Sequence, residues 1–514
     1  VIRHLEPSSG ALRLCDIVIY MTRCKGTFFL TVRSFILFVC MCTLVHGQVR
    51  PPEPFGALPS ERQLRWHELE TYVLVHFTPT TFENKEWGYG DASPKIFNPT
   101  QFDARQITQA VKAGGFRGLI LVAKHHDGFA LWPTATSPYN ISQSPWKNGQ
   151  GDMVKEFELA CRADGLQFGV YCSPWDRNNP RYGTASYVQD YRNQLRELYT
   201  RYGPLFMSWH DGANGGDGYY GGVRETRKID RTTYYGWDST WKMTRAMQPG
   251  ASIFSDVGWD VRWVGNERGE ADTTSWATYT PEPQPGKSRV GPGEVRDELN
   301  PTGTRNGEYW MPAECDVPLR TGWFFHPEQN NEVKPPLQLF DIYLKSVGRG
   351  AALDLGIAPD TRGRLHENDV LSLRNFGQLL KNTFDEDLAP KATIRASNVR
   401  GGNKKFGTAF LTDKDRYSYW ATDDSVKTPE LELSWASPQL IQYIRIRENI
   451  KLGQRIEALE VDVWEGNRWK QVGRATSIGA GRIIALPGPV LTQRVRIRVT
   501  QCPVAVAIGE IGIF

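Results

Sequence analysis

The stretch Phe116-Arg117-Gly118-Leu119-Ile120-Leu121-Val122-Ala123-Lys124 decides how the rest of the chain is read. It is apolar without alternation, and it ends abruptly in His125-His126-Asp127-Gly128-Phe129. An unbroken aliphatic run of this length is a strand covered on both faces, as in a parallel sheet. Similar runs recur at 71–77, 167–172, 204–209, 252–256, 308–313 and 351–357. Helical patterns lie between several of them. One spans 102–113, opened by Asp103 and stopped at Gly114-Gly115, and others span 154–163, 189–199 and 337–347. Strands alternating with helices over roughly 320 residues predict a (β/α)8-type barrel within an α/β chain. The sixth strand is not legible. Residues 260–305, rich in Gly, Pro, Thr and charge, read as a long loop, and long loops in compact domains tend to be functional.

After Phe384 the texture changes. Short alternating segments at 430–435, 442–447, 458–464 and 495–499 predict a C-terminal β-sandwich, with Glu465-Gly466-Asn467 as a hairpin turn. The expected organisation is a barrel over 48–384 and a sandwich over 385–514, joined near 385–395.

Residues 1–47 read differently. Met21 is followed by Arg23, Lys25 and Arg33, then by an apolar run from Phe35 to Val45, and Val45-His46-Gly47 fits a small-residue cleavage site. That is the pattern of a signal peptide, so the expected location is secreted or periplasmic, and residues 1–20 read as over-extended translation. The apolar run is too short for a membrane span. A lipid anchor on Cys40 is the weaker reading, because no small residue precedes it. Residues 1–47 carry five basic and two acidic residues of a chain whose net charge is +4, so the remainder is nearly neutral and gives no case for nucleic acid. Of eight cysteines, Cys161, Cys172, Cys315 and Cys502 lie beyond the leader, without metal-ligand spacing. They read as buried thiols, with one disulfide open to an oxidising compartment.

In such barrels chemistry sits at the carboxyl ends of the strands. The tips deliver His76, then Lys124-His125-His126-Asp127, then Tyr171-Cys172-Ser173-Pro174-Trp175-Asp176, then His210-Asp211-Gly212, then Asp256. Asp211 alone could cap a helix, but Gly212-Ala213-Asn214-Gly215 opens a poor one. Two chemistries fit the set. A metal-dependent hydrolase would use His125, His126, His210 and Asp211 as ligands, although no familiar ligand spacing is present. Glycoside hydrolysis needs two carboxyl groups flanking a sugar, imidazoles for its hydroxyls and aromatic faces for its ring. A third reading is a glycan-binding protein with a non-catalytic barrel.

The segments Ala123 to Phe129, Val170 to Arg177, Trp209-His210-Asp211-Gly212-Ala213 and Trp263-Val264-Gly265-Asn266-Glu267 resemble those of the α-L-fucosidases of glycoside hydrolase family 29. The resemblance runs from about 60 to 380. The Pro174-Trp175-Asp176 and Arg262 to Glu267 segments are similar to the branch preferring α-1,3/1,4-linked fucose. The C-terminal part, with Asp413, Asp415 and Tyr419-Trp420-Ala421-Thr422-Asp423, resembles a discoidin-type (F5/8 C) carbohydrate-binding module.

The resemblance implies Asp211 as nucleophile of a retaining reaction and Glu267 as acid/base, with Glu270 as its rival. It implies that His76, Glu86, Trp87, His125, His126 and Tyr171 hold the fucose, with Trp323 near the C6 methyl. Cys172 departs from the family, where a larger residue is usual, which leaves Tyr171 as the sugar contact. The glycines after Asp211 would keep side chains out of the sugar's space, and His210, on the other side of an alternating strand, would stand behind the site. No cofactor is implied for catalysis. Asp413, Asp415, Asp423 and Asp424 are compatible with a structural Ca2+. The partners implied are fucosylated oligosaccharides or glycoproteins.

Overall fold

Eight parallel strands close on themselves in the computed structural model, which describes residues 49–514 except Val257 and Trp259. The leader expected at 21–47, and residues 1–20, lie outside the described residues. The strands are β1 (Thr71–Val75), β2 (Gly118–Lys124), β3 (Gln167–Cys172), β4 (Met207–Trp209), β5 (Ser252–Ser255), β6 (Val261–Trp263), β7 (Ala313–Pro318) and β8 (Ala352–Ile357). They follow chain order around the barrel, and β8 pairs with β1 to close it.

The unbroken apolar runs are explained by burial on both faces. Alternate residues of each strand divide between two cores. Tyr72, Leu74, Ile120, Val122, Tyr171, Met207, Trp209 and Phe254 fill the barrel axis. Val73, Leu119, Leu121, Val170, Ile253, Leu353 and Leu355 face the helices outside. The helices are α1 (Glu61–Leu69), α2 (Ala104–Ala113), α3 (Met153–Asp164), α4 (Ala185–Arg201), α5 (Trp237–Met247), α6 (Pro336–Lys345) and α7 (Glu367–Phe384). Asp103 caps α2 by accepting from the Gln106 amide, and α3 ends at Gly165 in the left-handed region.

Two readings of the loop region are corrected. Val261–Trp263, read as the start of a long loop, is the sixth barrel strand. It follows β5 after only the five residues 256–260, where a parallel pair normally needs a crossover of a dozen or more residues. Three residues carry no periodicity, so the strand has no sequence signature. The run at 308–313 is not a barrel strand. Tyr309–Trp310 pairs antiparallel with Thr278–Tyr279 outside the barrel, and β7 lies just beyond. Inward-facing Glu314 and Asp316 disguise β7, because buried acids are rare in strands.

The C-terminal part is an antiparallel sandwich of β9 (Thr393–Ala396), β10 (Trp420–Ala421), β11 (Glu430–Glu448), β12 (Ala458–Glu465), β13 (Arg468–Thr476), β14 (Arg482–Gln501) and β15 (Ala507–Ile513). Segments read separately at 430–435 and 442–447 are one strand, β11. Register shifts between Ser434 and Gln439 and between Ile441 and Tyr443 bend it over its own core. Gly466 and Asn467, with φ 57° and 63°, form the expected hairpin turn. Cys161, Cys172, Cys315 and Cys502 are buried free thiols. Asp423 and Asp424 accept from Asn398 and Arg400, while Asp413 and Asp415 accept from Ser418 and the Tyr417 amide. No group of three or more His, Cys, Asp or Glu is placed to hold a metal ion among the described residues. Nor is any described helix long and apolar enough to cross a membrane.

The sandwich is clamped to the start of β1 by charge. Glu70 accepts from Arg447 at 2.6 Å and Arg416 at 3.2 Å, and Arg447 also bonds Glu510 at 2.6 Å. Burial pushes the Glu70 carboxyl up, but the Arg447 and Arg416 guanidiniums overcome it and hold it well below the usual range. Its contribution to stability is therefore complete above the ordinary value of 4.5 and is lost only as pH falls through the depressed one. Glu70→Ala leaves two buried guanidiniums short of a partner. Urea unfolding at neutral pH is expected to show a loss of about 3 kcal/mol.

Candidate active site

Alternation along β4 sorts the residues at its tip. Met207 and Trp209 face the axis, so His210 faces out and Asp211 faces in. His210 is fully buried. Its Nδ1 lies 2.7 Å from the Tyr191 hydroxyl, its Nε2 lies 2.9 Å from Ser208 Oγ, and Trp237 and Trp241 meet its ring edge-on. Both ring nitrogens are occupied away from the cleft. That breaks up the four-ligand set required by a metal-hydrolase reading.

Asp211 is held on two sides. The Tyr171 hydroxyl donates to Oδ2 at 2.9 Å, and the Ala213 amide donates to Oδ1 at 2.6 Å. His126 Nε2 lies 3.7 Å from Oδ2. Burial pushes the Asp211 carboxyl up to about 6, against the two hydrogen bonds, so it is largely ionised at neutral pH. The following glycine has a reason the sequence did not disclose. A Cβ on Gly212 would fall 1.6 Å from Asp256 Oδ2, so the glycine makes room for a second carboxyl, at the tip of β5. Burial, then the charge of Asp211, pushes Asp256 up to about 7.

The β2 motif divides by role. Lys124 is buried against Gln194 at 2.8 Å, Tyr187 at 3.2 Å and Asp176 at 3.3 Å. Asp127 accepts from the Thr78 and Thr80 hydroxyls at 2.7 and 3.1 Å. These two side chains lock the loop, while His125 and His126 line the cleft, their ring centres 4.1 Å apart. Ser173 donates to the Trp175 carbonyl, so its oxygen accepts from His126 Nδ1 at 2.7 Å. His126 therefore carries its proton on Nδ1 and turns a bare Nε2 toward Asp211. Burial lowers His76 and His126 to about 3, with added lowering from His126 and from Arg177 respectively, and lowers His125 well below its ordinary value. All three are neutral imidazoles. The Nδ1 atoms of His76 and His125 have no hydrogen-bond partner among the described residues.

Opposite them stands the loop after β7. Trp323 packs on Gly356 of β8, where a Cβ would lie 2.5 Å from the indole, and its ring centre is 5.2 Å from His76. Glu86 fastens this loop. It accepts from the Trp323 amide, from the Phe324 amide at 3.3 Å and from His326 Nε2 at 3.0 Å. Trp87 is half exposed and meets His126 and Trp175 edge-on.

The two candidate acids differ. Glu270 is ion-paired to Lys345 at 3.0 Å. Glu267 stands exposed at the cleft mouth and takes a hydrogen bond from Trp323. Partial burial, followed by the charges of Asp211 and Glu86, raises its pKa. His76, Glu86, Trp87, His125, His126, Tyr171, Asp211, Glu267, Glu270 and Trp323 thus all line one cleft of about 840 Å3.

The sequence reading missed the floor. Asp316 lines the cleft and accepts from Trp263 Nε1 at 2.7 Å. Beneath it, Glu314 accepts from Trp209 Nε1 at 2.8 Å and from the Tyr72 hydroxyl, with Asp354 in register between Tyr72 and Asp316. Burial raises all three carboxyls, Glu314 to about 7. The signal available was an acid at alternate positions of otherwise apolar strands.

Comparisons with known proteins agree with this geometry. The α-L-fucosidase family model matches residues 55–384. Over 467 residues the chain is 35% identical to α-L-fucosidase 1 of Arabidopsis thaliana, covering 90% of this chain and 88% of that protein. A glycoside hydrolase 29 family member from an unknown rumen bacterium matches with a TM-score of 0.78 at 38% identity, covering 90% of this chain and 78% of that one. The Ruminococcus gnavus GH29 fucosidase in complex with fucose matches with a TM-score of 0.79 at 28% identity, covering 91% and 97%. A barrel with Asp211 and Glu267 at one cleft, built on a sequence this similar along nearly its whole length, belongs to the α-L-fucosidases of glycoside hydrolase family 29.

Proposed function

We propose that the enzyme releases terminal α-L-fucose with retention of configuration, using Asp211 as nucleophile and Glu267 as acid/base. The observation that carries this is the pair of unlike carboxyls at one cleft. Asp211 is deep, oriented by Tyr171 and the Ala213 amide, and ionised at neutral pH. Glu267 is at the mouth and raised, which favours the proton an acid must carry. Glu270 is ion-paired to Lys345, which supports Glu267 over it as the acid.

In the first step Asp211 attacks the anomeric carbon while Glu267 protonates the departing glycosidic oxygen. In the second, Glu267 takes a proton from water, which displaces Asp211. Double displacement requires the carboxyls to lie about 5–5.5 Å apart. The bare Nε2 of His126 accepts a hydrogen bond from a sugar hydroxyl, and neutral His76 and His125 offer further hydroxyl partners without competing for the charge that develops at C1. Trp323 lies against the C6 methyl, and Glu86 acts by holding Trp323 in place as well as by facing the cleft.

The preferred substrates in this reading are branched glycans with α-1,3- or α-1,4-linked fucose. The support is the Pro174-Trp175-Asp176 and Arg262 to Glu267 segments. The signal-like pattern from Met21 to Gly47 supports a secreted or periplasmic enzyme, and the sandwich is read as a discoidin-like module.

Four measurements test this reading. Asp211→Ala is expected to fold, to bind fucose, and to lose at least about a thousandfold in kcat on an aryl fucoside. Azide is expected to restore turnover to Glu267→Ala but not to Glu270→Ala, and the reverse result would exchange their roles. The acid limb of kcat/KM should follow Asp211, with activity rising as pH climbs through about 6. Tyr171→Phe removes a donor that favours the carboxylate, so that limb should move up by up to about one pH unit. A Lewis-type α-1,3/1,4-fucosylated oligosaccharide should release fucose faster than an α-1,2-linked one, and equal rates would remove the linkage preference.

A further inference from the structure

The leaving glycan must lie beside the acid that protonates it, and that acid is on the α6 side of the cleft. Gly269, two residues past Glu267, sits against Ile342 of α6, and Glu270 is tied to Lys345 of the same helix at 3.0 Å. Lys345 also pairs with Asp341 at 2.9 Å. Asp341 lines the catalytic cleft on one side and a second groove, of about 710 Å3, on the other. The Glu270–Lys345–Asp341 chain is thus a sill between two adjoining hollows.

The second groove lies between the barrel and the sandwich. The barrel side offers Thr274, Lys345 and Arg349, and the sandwich side offers Glu460 of β12 and Arg474 of β13. Most of these groups are already engaged. Thr274 bonds Thr476 at 2.7 Å, Arg349 donates to the Ala271 carbonyl, and Glu460 takes Arg498 at 2.6 Å. Arg474 differs. Its side chain is exposed in the groove and makes no hydrogen bond or ion pair among the described residues.

We propose that this groove is a distal subsite for the oligosaccharide that carries the fucose, with Arg474 of the sandwich donating to hydroxyls of sugar residues beyond the one bonded to fucose. The proposal rests on Glu267 as acid/base, since that assignment sets the side on which the leaving glycan emerges. It gives the sandwich a part in choosing substrates: short aglycones end before the sill, and longer ones cross it.

The test uses the full chain and three substrates, an aryl fucoside, a fucosylated trisaccharide and a fucosylated oligosaccharide several residues longer. Arg474→Ala should lower kcat/KM on the longest substrate by about three- to tenfold, the size of one solvent-exposed hydrogen bond, acting through KM. Rates on the two shorter substrates should hold, and Arg474→Lys should recover part of the loss. Unchanged kcat/KM on the longest substrate overturns the subsite, and so does an equal loss on all three. If the unaltered enzyme cleaves none of the three, the fucosidase reading of the cleft fails and the subsite with it.

Discussion

In a closed barrel of parallel strands every second side chain points at the axis, and at the carboxyl ends of the strands those side chains converge. The site of this protein is a consequence of that constraint. Trp209 fills the axis, so Asp211 must rise above it and His210 must turn out toward α4 and α5. Tyr171, one strand over, is inward by the same rule and brings its hydroxyl to 2.9 Å from Asp211. Phe254 does the same for Asp256. The trio of His76, His125 and His126 completes the ring from β1 and β2, and Gly356 of β8 leaves the space in which Trp323 lies.

Convergence concentrates ionisable groups where water is scarce, and the physical outcome is neutralisation. The histidines are pushed down and most of the acids are pushed up, burial being the largest cause in each. Asp211 escapes in part, because Tyr171 and the Ala213 amide favour its charged form. Asp211 remains a largely ionised carboxylate beside neutral imidazoles, the environment that the proposed attack on a carbon developing positive charge requires. The arrangement also bounds stability. Asp211, Asp256 and Glu314 favour the folded state most at low pH, and that advantage is lost as pH rises through about 6 to 7. The buried neutral histidines favour the folded state above 6.5 and lose that contribution as pH falls toward 3.

Particular residues show where a linear reading reaches and where it stops. β1 to β5 and β8 were legible because both faces are apolar, and the His125-His126 and Asp211 tips followed from them. β6 was not legible, because three residues hold no period and only five residues separate it from β5. β7 was hidden by Glu314 and Asp316, whose partners Trp209, Tyr72 and Trp263 lie on other strands. Gly212 was read as clearing space for sugar, and only the packed fold reveals Asp256 behind it. Glu86 was read as a sugar ligand, and the fold adds that it buckles the Trp323 loop from more than two hundred residues away.

By itself the sequence determined the parallel barrel, the later sandwich and the set of strand-tip groups from which the chemistry is drawn, because burial on two faces and strand alternation leave a periodic trace along the chain. It also placed Glu267 and Glu270 within three residues of each other without separating them. Only the tertiary structure decided between their environments, putting Lys345 beside one and Trp323 beside the other. It alone decided which nitrogen of His126 is bare, which carboxyl Gly212 must avoid, and which groove adjoins the cleft. Those outcomes depend on distances between side chains far apart in sequence, and burial and electrostatics act through space rather than along the chain.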